Sequence, residues 1–194
     1  MTDLEQWKQE HNGNISNVLF DAVEHKYFYL GRELNGITRA VVRRCGKVMP
    51  DNSSSLLEVA CSYGSQVHKE IENYINKGLE VNTEASKWIL EQIEQFDAVA
   101  VESEKRVSDF ENSASNIDLV LYKTSGDILI DIKTGNFNRE YCTLQLNIYR
   151  LLYELNYSRK VESLFVFCTK TKRVYKIVKR DYAESIAILS SNKQ

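Results

Sequence analysis

The chain has 194 residues with one Pro and eight Gly, 27% charged and 43% apolar residues, and a formal net charge of −2. That length and balance fit one globular domain and exclude collagen-like and low-complexity classes; the net charge speaks against a dedicated nucleic-acid coat protein. No apolar run approaches the roughly eighteen residues of a membrane helix, and Met1-Thr2-Asp3-Leu4-Glu5-Gln6-Trp7 is acidic where a signal peptide is basic. Cys45, Cys61, Cys142 and Cys168 lie too far apart for a C-x-x-C zinc pair or a disulfide framework. Reduced thiols and a cytoplasmic location, in a bacterial or phage-infected cell, are therefore expected, with no membrane partner.

In chain order, residues 1–24 are acidic, carry an isolated Trp7, and read as an arm or capping helix ahead of one domain spanning 25–194. The run from His25 to Thr38 predicts a hairpin turning near Gly31, with Thr38 capping a short helix. Residues 47–55, Lys-Val-Met-Pro-Asp-Asn-Ser-Ser-Ser, read as a loop whose serines can cap the next helix. Leu56, Leu57, Ala60, Gly64, Val67, Ile71, Tyr74 and Ile75 recur at helical spacing, predicting a long helix over 55–77 that stops before Gly78. Trp88, Ile89, Ile93 and Phe96 place a second helix over 83–96. The period then shortens. Segments 98–107, 115–122 and 127–132 are rich in β-branched residues and separated by turn residues, a three-strand meander. Leu144, Ile148, Leu151, Leu152 and Leu155 restore helical spacing over 141–155. Segments 163–169 and 173–178 alternate like strands, and a last helix covers 182–190. This order predicts an α/β domain with a mixed central sheet flanked by helices.

Charge is segregated along the chain. Between Arg159 and Arg180 there are eight basic residues, Lys170, Lys172 and Arg173 among them, against one acid, Glu162. A second basic group is Arg39, Arg43, Arg44 and Lys47, and ten acids from Glu58 to Glu104 separate the two. Such segregation makes an anion-binding face on a chain that is nearly neutral, or simply a solvated surface.

One window carries chemistry. Asp118 interrupts an apolar strand between Ile117 and Leu119, and Asp131 and Lys133 close the next strand on one face, with Ile132 pointing opposite. Two carboxylates and an ammonium at adjacent strand ends are costly unless they pair or hold a metal. Carboxylates with a backbone carbonyl between them suit a hard divalent ion; the plain alternative is a strand-end salt bridge. His68 lies near the apolar stripe of the long helix. Gln145 and Tyr149, four apart, share a face of the helix after the acidic strand. Glu104 lies on the strand before Asp118, with Glu102 as its competitor.

Taken in order, Gly64-x-x-x-His68, Glu104, Ile117-Asp118, Ile130-Asp131-Ile132-Lys133-Thr134-Gly135 and Gln145-x-x-x-Tyr149 resemble the PD-(D/E)XK nuclease superfamily. Within it they are most similar to the RecB-type branch, which includes lambda-type phage exonucleases and the CRISPR adaptation exonucleases. The resemblance covers residues 25–155 and includes Asn35-Gly36-Ile37-Thr38, which often precedes the histidine helix in phage members. It implies a restriction-endonuclease-like α/β core. His68, Asp118, Asp131 and the Ile132 carbonyl would bind Mg²⁺ or Mn²⁺, Lys133 would be the catalytic lysine, and Gln145 and Tyr149 would position phosphate and lysine. Glu104 resembles the accessory acid of the first core strand. Ser115-Asn116 departs from the small residue, often Gly, found before the first aspartate. The cysteines do not match the iron–sulfur branch, so no cluster is expected.

The activity implied is metal-dependent hydrolysis of DNA phosphodiesters, by an exonuclease serving recombination, repair or phage replication. Arg39, Arg43, Arg44, Lys170, Lys172 and Arg173 would hold the strand by sequence-independent contacts. RNA remains open as a substrate, as do self-association and a recombination or annealing protein as partner. The competing reading is a catalytically inactive nuclease fold that binds nucleic acid or a protein. Metal titration separates the two.

Overall fold

The computed structural model describes residues 3–46 and 55–192. The 47–54 stretch, with Lys47 and the proposed capping serines Ser53 and Ser54, lies outside the described residues. The chain begins with α1 (Asp3–Glu10) and a 3-10 turn at Ile15–Asn17. An antiparallel unit follows: β1 (Val18–Asp21), β2 (Lys26–Tyr29) and β3 (Arg32–Gly36). Its β2–β3 turn is Leu30-Gly31, both at positive φ (49° and 83°), matching the right-handed twist of paired strands. Then come α2 (Ile37–Arg44), α3 (Ser55–Lys77) and α4 (Glu84–Glu94). The meander is β4 (Ala100–Ser108), β5 (Ser113–Tyr122) and β6 (Asp127–Lys133). The chain closes with α5 (Arg139–Tyr157), β7 (Val161–Cys168), β8 (Arg173–Ile177) and α6 (Tyr182–Ser190).

Among the described residues this is a mixed α/β fold: one eight-stranded sheet with six α-helices around it. Helices α3 and α4 cover one face, where Val67, Ile71, Trp88 and Ile89 meet Leu119, Leu121, Ile128 and Ile130. Helices α2, α5 and α6 cover the other, against Val120, Leu129, Leu164 and Val166. Strand β6 is buried on both faces, so it reads as an apolar run and pairs in parallel with β7. Helix α5 is buried without interruption from Cys142 to Tyr153. All four cysteines are free thiols. No described helix is long and apolar enough to cross a membrane.

Of the two readings of residues 1–24, the helix is present as α1, whose Trp7 is buried in the core, and the segment also supplies β1, which pairs with β2 across Val18–Tyr29. The sequence hid that strand because its apolar residues there are too few to show a period. One expectation changes: Thr38 does not cap α2. Gly36 is the N-cap and supplies no side-chain hydrogen bond, while the Thr38 hydroxyl is engaged with Tyr141.

The topology that builds the site is at β5. Strand β4 pairs along one edge, from Ala100↔Tyr122 to Ser108↔Ala114. The opposite edge is divided: β6 takes Leu119–Leu121 and β3 takes Ser113–Ala114 in parallel. Residues 115–118 are left between the two partners, so the sheet splits there and a cleft opens.

The α3–α4 junction is held by one carboxylate. Glu70 accepts from the Thr83 amide at 3.0 Å and the Thr83 hydroxyl at 2.8 Å, just where α4 starts. Burial resists the charge, but the Thr83 bonds and their neighbours win and hold Glu70 down at about 2. A carboxylate depressed in the folded state contributes stability above its unfolded value, near 4.5, and loses it as pH falls toward 2. Glu70→Gln should cost about 1 kcal/mol at neutral pH. Urea unfolding at neutral pH and at about pH 3 should show the gap to the parent closing in acid; a gap independent of pH would refute the charge argument.

Candidate metal and nucleic-acid site

Where the sheet splits, one helix and two paired strands converge. His68 comes from α3, Glu104 from β4 and Asp118 from β5, and one ligand atom from each lies within 4.8 Å of the others. Helix α3 can approach because Gly64 has no side chain: a Cβ there would stand 3.0 Å from Thr134 Oγ1. One oxygen of Asp118 accepts from the Ile132 amide at 2.6 Å, bridging the point where the β5–β6 ladder ends. The other faces His68 Nδ1 at 3.5 Å.

Glu104 and Asp118 fall in the gap of the β4–β5 register between Ser103↔Leu119 and Lys105↔Ile117, and Glu104 has φ of 52°, the left-handed region, in the middle of a strand. A non-glycine residue costs of order 1 kcal/mol there and persists only where its surroundings impose it. Here the conformation brings its carboxylate into the cluster, and Asn116 Nδ2 donates to it at 3.2 Å. Glu102 points elsewhere: it pairs with Lys105 at 2.9 Å and accepts from the Tyr122 hydroxyl.

Asp131 and Lys133 share a face of β6, as alternation predicts, and pair at 2.7 Å. Lys133 also donates to Gln145 Oε1 at 3.1 Å. Gln145 Nε2 donates to the Tyr149 hydroxyl at 2.9 Å, and that hydroxyl meets Ser115 Oγ at 3.1 Å. The result is a continuous chain, Asp131–Lys133–Gln145–Tyr149–Ser115. The Ser115-Asn116 pair thus has two partners: Ser115 supports Tyr149 and Asn116 holds Glu104. Only a structure could assign them, since neither residue type is distinctive in a strand.

Negative charge exceeds positive in this cleft of about 640 Å³. Burial, reinforced by the charge of Asp118, pushes Glu104 up to about 7. Burial also pushes Asp131 up to about 6; Lys133 opposes this and Asp118 adds to it. Burial works against the Lys133 ammonium, but Asp131 and Asp118 outweigh it and keep the amine protonated. Tyr149 is held neutral, first by burial and then by the two aspartates.

These residues fit a hard divalent cation. The carboxylate oxygens of Glu104 and Asp118 are the donors such ions take, while the His68 imidazole is a ligand that softer divalent metals favour. Asp131 Oδ2 is buried, and its one close polar neighbour is the Lys133 ammonium at 2.7 Å. The ligand cluster is His68, Glu104 and Asp118; Asp131 stands beside it, paired with Lys133, and Ile132 lines the same cleft. Glu104 therefore joins the set more closely than the sequence reading gave it.

The expected DNA contacts divide. Arg39 lines a cavity of about 360 Å³ that shares Tyr27, Thr38 and Ser115 with the main cleft. Lys170 reaches Asn136 at 2.8 Å, just beyond the end of β6. Arg44 pairs with Glu184 at 3.7 Å, and Arg43, Lys172 and Arg173 are exposed. The basic run from 159 to 180 is not one face. Arg159 is bound to Asp127, Arg180 to Glu140 and Glu184, and Lys160 and Lys179 line a different cavity. Two short strands and a turn distribute what the sequence placed together.

No protein-family model matches the chain, and no curated protein matches it. Among solved structures, the crystal structure of SSO0001 is similar, with a TM-score of 0.45 and 17% identity over 97% of this chain and 82% of that one.

Proposed function

We propose that this chain is a divalent-metal-dependent deoxyribonuclease of the PD-(D/E)XK type, acting from DNA ends. The observation that carries the reading is the convergence of His68, Glu104 and Asp118 within 4.8 Å beside the buried Asp131–Lys133 pair. Bound there, Mg²⁺ or Mn²⁺ would supply Lewis-acid polarisation of a phosphate and a lowered pKa for attacking water.

The chain's own residues have separable tasks. Asp118, fixed by the Ile132 amide, presents its free oxygen toward His68 and the cleft. Lys133 stays an ammonium, so it stabilises charge growing on the phosphoryl oxygens rather than removing a proton. Gln145, Tyr149 and Ser115 hold that ammonium in place by consecutive hydrogen bonds. Arg39, in the cavity adjoining the cleft, and Lys170, bonded to Asn136 just beyond β6, hold the strand through phosphate contacts without reading bases.

The test is a time course on end-labelled linear duplex, linear single-stranded and covalently closed circular DNA, in Mg²⁺, Mn²⁺ or EDTA. Metal-dependent loss of the linear forms alone is expected. Cutting of circles would make the same site endonucleolytic. Binding of DNA with no cleavage under any condition would replace the reading by the inactive, DNA-binding form of the fold.

A further inference from the structure

Away from the acidic cleft, and sharing no lining residue with it, a cavity of about 590 Å³ lies between α1, the C-terminal half of α5 and α6. Five cationic side chains line it: Lys8, Arg150, Arg159, Lys160 and Lys179. Arg159 is neutralised by Asp127. The one acid in the lining, Glu154, is already engaged by the Val161 amide at 3.1 Å and by the Tyr182 hydroxyl.

Arg150 is the anomaly. It is only 6% exposed, yet no carboxylate among the described residues comes within ion-pairing distance of it. Its guanidinium lies over the Tyr182 ring at 4.2 Å and donates to the Arg180 carbonyl at 2.6 Å, while its Nε is buried without a partner. A buried, unpaired cation is costly, and a counter-ion relieves that cost. The remaining cationic walls are the half-buried Lys8 and the exposed Lys160 and Lys179, and the Glu154 oxygens are turned to Val161 and Tyr182 rather than to the guanidinium.

We propose that this cavity binds a phosphate group, with Arg150 as its floor and Lys8, Lys160 and Lys179 as its rim. The guanidinium fork matches phosphate oxygens, lysines add mobile point charges, and Tyr182 and Leu155 offer an apolar wall. The volume suits a nucleotide-sized ligand. The phosphate comes either from a small polyphosphate compound or from a nucleic-acid strand crossing this face.

The experiment uses the full chain in EDTA, so that no metal bridges a phosphate to the acidic cleft. Inorganic pyrophosphate is titrated by calorimetry at constant ionic strength into the parent, Lys160→Glu and the Lys160→Glu/Lys179→Glu pair. Both lysines are exposed; Lys179 also donates to the Val161 carbonyl at 3.2 Å, so the unfolding midpoint of each variant is measured alongside. Saturable binding to the parent, weakened about tenfold or more by the double reversal, is expected from the loss of charge-assisted contacts. A labelled single-stranded oligonucleotide in the same buffer identifies the source. If the double reversal weakens it and pyrophosphate displaces it, the phosphate is that of a strand. If only pyrophosphate binding changes, it is that of a small compound. No saturable pyrophosphate binding by the parent, or equal binding by the folded double variant, overturns the proposal.

Discussion

Asp118→Asn should lower metal-dependent DNA cleavage by at least about 10³-fold, the equivalent of several kcal/mol of transition-state stabilisation, while leaving the metal-free protein as stable as the parent or more so. The substitution keeps an oxygen for the Ile132 amide, which the carboxylate accepts at 2.6 Å. It removes the charge that helps raise both Glu104 and Asp131. Loss of function with a gain in stability is what a site built of mutually repelling acids should give. The sign can be checked with pH in EDTA. Glu104 titrates at about 7 in the fold against 4.5 ordinarily. A carboxylate raised by folding contributes its stability below the unfolded value and loses it as pH rises through the folded one. The parent should therefore weaken between about pH 4.5 and 7, and Asp118→Asn should weaken less over that interval. Cleavage at the parental rate would remove Asp118 from the chemistry.

The second large effect is on stability. Asp127, fully buried at the start of β6, accepts from Arg159 Nη2 at 2.7 Å and from the Tyr153 hydroxyl at 2.8 Å. Burial opposes its charge, but these bonds win and hold the carboxyl below its ordinary value. Asp127→Ala leaves the Tyr153 hydroxyl without its acceptor inside the core and frees a guanidinium that is half in solvent. The expected loss is about 3 kcal/mol, less than for a fully buried pair because Arg159 can be rehydrated. Urea unfolding should give a lower midpoint with an unchanged slope. Tyr153→Phe, which removes only one donor, should cost about 1 kcal/mol.

Much of the architecture was legible because periodicity reports burial. The switch from the 3.6-residue stripe of α3 to the short strands after residue 98 predicted the layer order, and alternation correctly put Asp131 and Lys133 on one face. The order of polar residues along the chain singled out His68, Glu104, Asp118, Asp131, Lys133, Gln145 and Tyr149, and the fold brings all seven to one cleft. What was not legible depends on pairing between distant segments. Nothing local says that β3 and β6 share an edge of β5, or that Glu104 leaves the strand conformation to reach Asp118. Asp127 looked like a strand-start residue because its partner Arg159 lies 32 positions away. Of the two readings of the basic run, the single anion-binding face does not form, because proximity in sequence is not proximity on a surface once a turn and two strands intervene.

The divided edge of β5 also bears on the order in which this chain assembles. Pairing of β4, β5 and β6 joins neighbours in sequence, whereas Asn35↔Ser113 and Gly36↔Ala114 close a loop of 78 residues for two bridge pairs. Loop closure of that length is slow relative to hairpin formation. The wall contributed by β1–β3 is therefore the last to dock, and refolding chains should recover their strand signal before they recover a formed cleft.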